Sequence, residues 1–70
     1  MDRDIYLIEP LDRGWVLHLN GEELAAFDDE RRAARAAIAA ARISERRGRS
    51  AEILTADETG TLYPFPMALT

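Results

Sequence analysis

The run from Asp28 to Arg47 is made mostly of alanine and arginine and contains neither glycine nor proline. Both of its main residue types are strong helix formers. Asp28, Asp29 and Glu30 open the run, where capping and the helix dipole favour negative charge. Gly48 follows directly and is a natural helix terminator. We therefore predict one helix over Asp28–Arg47, about 30 Å long, which any fold of this chain must accommodate.

The predicted helix has two chemically different faces when successive residues are placed about 100° apart. One face carries small residues and no arginine: Ala33, Ala34, Ala37, Ala40, Ala41 and Ser44. The opposite face, called here the arginine face, carries Arg31, Arg35, Arg42 and Arg46. Small side chains let a helix backbone approach its neighbour closely, so we predict that the alanine-rich face covers a sheet.

Segments before and after the helix are rich in strand-forming residues and are separated by turn-forming ones. Asn20-Gly21 is the pair that best fits a type I′ hairpin. We predict strands over Asp4–Glu9, Trp15–Leu19, Glu22–Phe27, Ala51–Ala56 and Thr61–Tyr63. A right-handed crossover through the helix then sets the fourth strand parallel to the first, in the order 3-2-1-4-5.

The predicted fold class is α+β, with element order β-β-β-α-β-β. One antiparallel or mixed sheet is covered on one face by a single long helix. Residues 1–63 form this single domain, and residues 64–70 form an apolar C-terminal tail.

The two-residue hairpin loop fixes the register between the second and third strands. It pairs His18 with Glu23, Leu17 with Leu24, and Trp15 with Ala26. We therefore predict that the helix packs on Trp15, Leu17, Leu24 and Ala26, with Trp15 central to the core. The same register leaves Tyr6, Ile8, Val16 and Ala25 on the uncovered face of the sheet.

An uncovered apolar face is unfavourable in water. Either the tail over residues 65–69 folds across it or a second chain covers it. A twofold homodimer is the simplest closed arrangement, so we predict a homodimer. The residues predicted to bind partners are thus the sheet residues Tyr6, Ile8 and Val16, together with Arg31, Arg35, Arg42 and Arg46 of the arginine face.

Charge is unevenly distributed along the chain, whose formal net charge is −4. Residues 31–49 hold seven arginines and one glutamate, a net charge of +6, whereas the rest holds two arginines and twelve acids, a net charge of −10. The arginine face has three interpretations: a solvated polar surface, a site for an acidic protein partner, or a site for a phosphate backbone. Overall acidity and the lack of aromatic residues among the arginines argue against nucleic acid.

Residues that carry catalytic or metal chemistry are few and scattered. The chain has no cysteine and one histidine, His18, whose predicted neighbour Glu23 makes an ordinary cross-strand pair. Neither Ser44 nor Ser50 belongs to a recognisable nucleophile–base arrangement. Asp57–Gly60 has the composition of a turn. We therefore predict no enzymatic activity, no metal and no cofactor.

The absence of cysteine, and of any apolar run long enough for a signal peptide or a membrane span, favours a cytoplasmic protein without membrane contact. The leading hypothesis is a small non-enzymatic protein-interaction module that forms a homodimer. The alternative is weak nucleic-acid binding through the arginine face.

The order of several short patterns also resembles a known family. Tyr6-Leu7-Ile8-Glu9-Pro10 forms an aromatic-led first strand, and Gly14-Trp15-Val16 opens the second. These are followed by Gly21, by Phe27-Asp28 entering a helix with Ala33, Ala37 and Ala41, and by Glu52-Ile53 and Gly60. Over about residues 5–62 this pattern resembles the small prokaryotic family called domain of unknown function 2188. The arginine-rich helix and the extension after Tyr63 depart from the family, whose resemblance implies a fold and no assigned activity.

Overall fold

The computed structural model of the protein describes residues 2–65. Their elements are β1 (Arg3–Leu11), β2 (Gly14–Leu19), β3 (Glu22–Phe27), α1 (Glu30–Arg46), β4 (Ser50–Ala56) and β5 (Leu62–Pro64). The strands form one sheet in the order β3-β2-β1-β4-β5, in which β4 runs parallel to β1 and all other neighbours are antiparallel. The predicted fold class and strand order are confirmed. The predicted tail starts within β5, at Pro64, and residues 66–70 lie outside the described residues.

Helix α1 begins and ends at the predicted signals. Asp29 is the N-cap, and its Oδ1 accepts a hydrogen bond of 2.9 Å from the backbone N–H of Arg32. Gly48 follows the C-terminus with φ +80°, and the N–H of Arg49 donates to the carbonyl oxygen of Ser44 at 3.0 Å. This is the Schellman pattern that a glycine after a helix produces.

The hairpin between β2 and β3 has the predicted turn but a different register. Asn20 (φ 51°) and Gly21 (φ 89°) both have the positive φ that a type I′ turn requires. His18 lies opposite Glu23 as predicted, but the register then shifts, and the predicted pairs of Leu17 with Leu24 and of Trp15 with Ala26 are wrong. Leu17 instead lies opposite Ala25, and Trp15 lies opposite Phe27.

This β-bulge brings Phe27, rather than Ala26, to the helix side, where it packs against the core. Leu24 is consequently 52% exposed. The larger aromatic side chain buries more apolar surface than alanine would, which offsets the loss of regular pairing. Gly14 permits the resulting close approach, because a Cβ atom there would overlap the carbonyl oxygen of Phe27.

The prediction that Tyr6 and Ile8 lie on the uncovered face is wrong. Both are buried beneath α1, at 3% and 0% exposure, and β1 pairs them with Leu19 and Leu17 of β2. In the observed register Pro10 lies opposite Trp15 and Ile8 lies opposite Leu17, so the even-numbered residues of β1 share the helix side with Trp15 and Leu17. Ala25, opposite Leu17, also lies on the helix side.

The core lies between the helix and the central strands. It consists of Tyr6, Ile8, Leu17 and Ile53 from the sheet and Ala33, Ala34, Ala37 and Ala41 from α1. The predicted alanine-rich face of the helix is thus the one that packs on the sheet. Trp15 is on the helix side as predicted, but it is half-buried at the edge of this core rather than central to it.

Candidate interaction surfaces

The sheet face that α1 does not cover, called here the open face, has an apolar centre. The strand register places these residues on it: Ile5, Leu7 and Glu9 of β1, Val16 and His18 of β2, Glu52, Leu54 and Ala56 of β4, and Leu62 and Pro64 of β5. Val16, the one sheet residue correctly predicted on this face, is 1% exposed. Leu7 and Leu54 beside it are half-buried.

The rim of the open face is charged. Nε2 of His18 lies 3.2 Å from Oε1 of Glu9, and Arg3 forms an ion pair with Glu52. His18 therefore contacts Glu9 on β1, although Glu23 is its neighbour on β3. An apolar centre inside a polar rim is the usual anatomy of a protein–protein contact surface.

The two edges of the sheet are poor sites for adding another strand. Edge strand β3 carries Glu22 and Glu23 and is interrupted by the bulge. Edge strand β5 has only three residues and ends in Pro64, which cannot donate a backbone hydrogen bond. Charges, bulges, shortness and proline all oppose edge-to-edge pairing, so the open face is the better candidate for contact with another chain.

The arginine face lies on the exposed side of α1, as predicted. Its members Arg31, Arg35, Arg42 and Arg46 are all exposed. Within residues 2–65 no carboxylate forms an ion pair with any of these four side chains, whereas Arg32 pairs with Asp28 and Asp29. Arg31 and Arg35 stand four residues apart, as do Arg42 and Arg46. Such like-charge pairs cost an isolated helix about 0.2–0.5 kcal/mol each.

A buried carboxylate, Asp4, joins three parts of the chain. It is 6% exposed and accepts hydrogen bonds from Nε (2.8 Å) and Nη2 (2.6 Å) of Arg49 and from Nδ2 of Asn20 (3.2 Å). Hydrogen bonding from Arg49 holds the pKa of Asp4 far below its ordinary value, and Asp4 in turn raises the pKa of Arg49. This pair was not predicted from the sequence. The parallel pairing of β1 with β4, which sets Arg3 beside Ser50, is the signal that brings Asp4 and Arg49 together.

The hydroxyl groups under the helix are also partnered. The hydroxyl oxygen of Tyr6 lies 2.7 Å from Oγ of Ser44, and the Tyr6 O–H donates to the carbonyl oxygen of Ala40 at 3.2 Å. His18 lies on the open face, on the other side of the sheet from Ser44. These hydroxyl groups therefore link β1 to α1. His18 is too far from Ser44 to act as its general base, because the sheet lies between them.

A cleft opens at the end of the sheet that α1 leaves uncovered. The helix begins only at Glu30, so Pro10, Trp15, Thr55 and Tyr63 on the helix side of the sheet lie beyond it. The cleft, called here the Trp15–Tyr63 cleft, has a volume of about 530 Å³. Its lining residues are Pro10, Trp15, Glu30, Thr55, Ala56, Asp57, Glu58, Thr59 and Tyr63.

Asp57 organises the turn that forms one wall of this cleft. Its Oδ1 accepts from the N–H (2.9 Å) and the hydroxyl (2.6 Å) of Thr59 and from the N–H of Thr61 (3.0 Å). Its Oδ2 accepts from the hydroxyl of Tyr63 at 2.9 Å. These donors, led by the Thr59 hydroxyl, lower the pKa of Asp57 to about 2, and the carboxylate raises the pKa of Tyr63. Asp57–Gly60 is a turn, as predicted.

Comparison of the chain with protein-family models, with curated proteins and with solved structures found no significant match. The resemblance to the domain of unknown function 2188 family therefore stays a prediction. In the part of the chain that the structure describes, no helix has both the length and the apolar character needed to cross a membrane.

Proposed function

We propose that the protein is a small, non-enzymatic, cytoplasmic interaction module that forms a homodimer through its open face. The observation that carries this proposal is the apolar surface of the half-buried Leu7 and Leu54 and of Leu62, which is 50% exposed, bounded by charged residues on a sheet that α1 covers on one side only. Leu7 and Leu54 stand on this face in place of Tyr6 and Ile8, which were predicted there.

A second copy of the chain suits this face for two reasons. The rim carries both signs of charge, since Arg3 lies on it together with Glu9 and Glu52. A twofold axis can therefore set Arg3 of one copy against an acid of the other. The edges, moreover, oppose strand addition, which leaves face-to-face packing as the way to cover apolar surface. A standard interface buries about 800 Å² per partner, roughly a sixth of the accessible surface of 4994 Å².

Light scattering coupled to size exclusion tests the homodimer. We expect the wild-type chain to show twice its mass of 7.9 kDa at high micromolar concentration. Leu54→Glu, which places a charge at the centre of the open face, should shift the mass to that of a monomer. Leu24→Glu adds the same charge at a residue that is 52% exposed on edge strand β3, and it should leave the dimer intact.

Thermal melts of both variants establish that they fold. A folded wild-type chain that stays monomeric at these concentrations contradicts the homodimer. A chain ending at residue 65 tests the other occupant of the open face. If only the shortened chain dimerises, the tail covers this face and the proposal is wrong.

The second candidate function is weak nucleic-acid binding through the arginine face. It is favoured by four exposed arginines that lack an ion-pair partner within residues 2–65. The net charge of −4 opposes it. Because the arginine face and the open face lie on opposite sides of the molecule, this function and the homodimer are compatible.

Titration of labelled DNA and RNA at low salt tests the second candidate. Binding should weaken steeply as salt rises, because each phosphate contact releases counterions. Arg35→Glu combined with Arg42→Glu should abolish it, whereas Arg13→Glu in the β1–β2 turn should change it much less. Absence of binding, or equal binding by all three proteins, removes nucleic acid as a ligand.

A further inference from the structure

We propose that the Trp15–Tyr63 cleft binds the guanidinium group of an arginine side chain presented by a partner protein. The cleft lies on the helix side of the sheet, so this inference goes beyond the homodimer and does not depend on it. It rests on the size of the cleft, its aromatic walls and its charge.

The size of the cleft is sufficient for a single side chain. Its volume of about 530 Å³ lies within the range of small-ligand sites and exceeds what one guanidinium group with its aliphatic stem occupies. The backbone around it is held in place: Pro10 and Trp15 are paired across β1 and β2, and the hydrogen bonds of Asp57 fix the β4–β5 turn. The site is therefore formed before a ligand arrives.

Two aromatic side chains line the cleft. Trp15 is half-buried and Tyr63 is 48% exposed, so part of each side chain remains accessible to a ligand. Aromatic faces attract cations, with tryptophan the strongest, and the planar guanidinium group also stacks on such rings. An aromatic wall next to charged groups favours an organic cation over a small hydrated ion.

Every charged residue that lines the cleft is acidic: Glu30, Asp57 and Glu58. Asp57 is occupied by its four hydrogen bonds and acts as a fixed negative charge. The carboxylates of Glu30 and Glu58 are exposed and have no hydrogen-bond or ion-pair partner within residues 2–65. These two are available to accept charge-assisted hydrogen bonds.

Two competing ligands fit the cleft less well. An anion would be drawn to the positive end of α1, but that end carries only about half a charge, against three carboxylates. A metal ion needs several ligands converging on one point, and residues 2–65 contain no such group of histidine, aspartate or glutamate side chains. Arginine is preferred to lysine because its flat fork can stack on Trp15 while donating two parallel hydrogen bonds to one carboxylate.

Trp15 is the single tryptophan of the chain, so its fluorescence reports on the cleft directly. The full chain is titrated with the peptides Gly-Arg-Gly, Gly-Lys-Gly and Gly-citrulline-Gly at low salt. Citrulline has the shape of arginine without its charge. We expect a saturable change with the arginine peptide in the millimolar range, several-fold weaker binding of the lysine peptide, and at least ten-fold weaker binding of the citrulline peptide.

Matched variants place the binding in the cleft. Glu30→Gln combined with Glu58→Gln should weaken the arginine peptide at least ten-fold. Glu22→Gln combined with Glu23→Gln removes the same charge from edge strand β3 and should have little effect. Circular dichroism establishes that all proteins fold. The proposal is overturned if the arginine peptide gives no saturable change, if citrulline binds equally well, or if the two double variants behave alike.

Discussion

At the scale of single residues, the contact between Asp4 and Arg49 joins a buried carboxylate to a guanidinium group through two hydrogen bonds. It connects the start of β1 to the residue that precedes β4, and Asn20 joins the β2–β3 hairpin to the same carboxylate. Arg49 also reaches Asp2, with Nη1 3.0 Å from Oδ2. Asp4 thus connects β1, the β2–β3 hairpin and the segment between α1 and β4, which are distant from one another in the sequence.

This contact predicts a dependence of stability on acid. The pKa of Asp4 in the folded state is lowered below the value of about 3.9 for an unfolded aspartate. Its contribution to stability is therefore fully present above pH 4 or so and is lost as the pH falls from there toward the folded-state pKa. Asp57, whose pKa is lowered to about 2, contributes in the same direction.

We expect Asp4→Asn to lower the melting temperature at pH 7 and to reduce its further decline between about pH 4 and pH 2. Melts of wild type and variant across pH 2–7 measure both effects. Asp12→Asn, at an exposed residue of the β1–β2 turn, is the control and should melt as the wild type does. If Asp4→Asn melts like the wild type at every pH, the contact does not stabilise the fold.

At the scale of elements, α1 depends on its own terminal signals as well as on packing. Asp29 supplies the N-cap hydrogen bond, whereas Asp28 precedes it and forms only a 3.7 Å ion pair with Arg32. We expect Asp29→Ala to destabilise the domain by about 1 kcal/mol, which lowers the melting temperature of a domain this size by about 4–8 °C. Asp28→Ala should change it by only a degree or two. Equal effects of the two substitutions in thermal melts would contradict the assignment of the cap.

Local signals were enough to predict the helix and the type I′ turn, and the right-handed crossover rule supplied the order of the strands. Asn20-Gly21, Asp29 and Gly48 each act through the conformation of their immediate neighbours, which the sequence contains directly. The β-bulge was not predictable in this way, because it depends on whether Phe27 or Ala26 fills the space beside Trp15. That choice is made by packing between elements, which no local pattern records.

The main error of the prediction was the assignment of β1 residues to the two faces of the sheet. This assignment decides which residues belong to the candidate contact surface. Tyr6 and Ile8 were assigned to the open face without a register between β1 and β2, and the observed register pairs them with Leu19 and Leu17 on the helix side. Because side chains alternate along a strand, a register shift of one residue moves every side chain of that strand to the other face. The Trp15–Tyr63 cleft was missed for a related reason, since β1, β2, β4 and β5 each contribute to it.

At the scale of the whole molecule, the two broad faces differ in chemistry. The arginine face of α1 is exposed and positively charged, whereas the open face of the sheet is apolar with a mixed-charge rim. A homodimer through the open face would place two arginine faces on opposite outer surfaces. It would also leave both Trp15–Tyr63 clefts accessible, because they lie on the helix side.

The homodimer is tested most directly by measuring which methyl groups a soluble paramagnetic agent reaches as protein concentration changes. We expect the methyl signals of Leu7 and Leu54 to become protected from relaxation as concentration rises. Those of Ile43, which is 47% exposed on α1, should remain accessible throughout. If the methyls of Leu7 and Leu54 are equally accessible at every concentration, or are already protected where the chain is monomeric, a second copy is not what covers the open face.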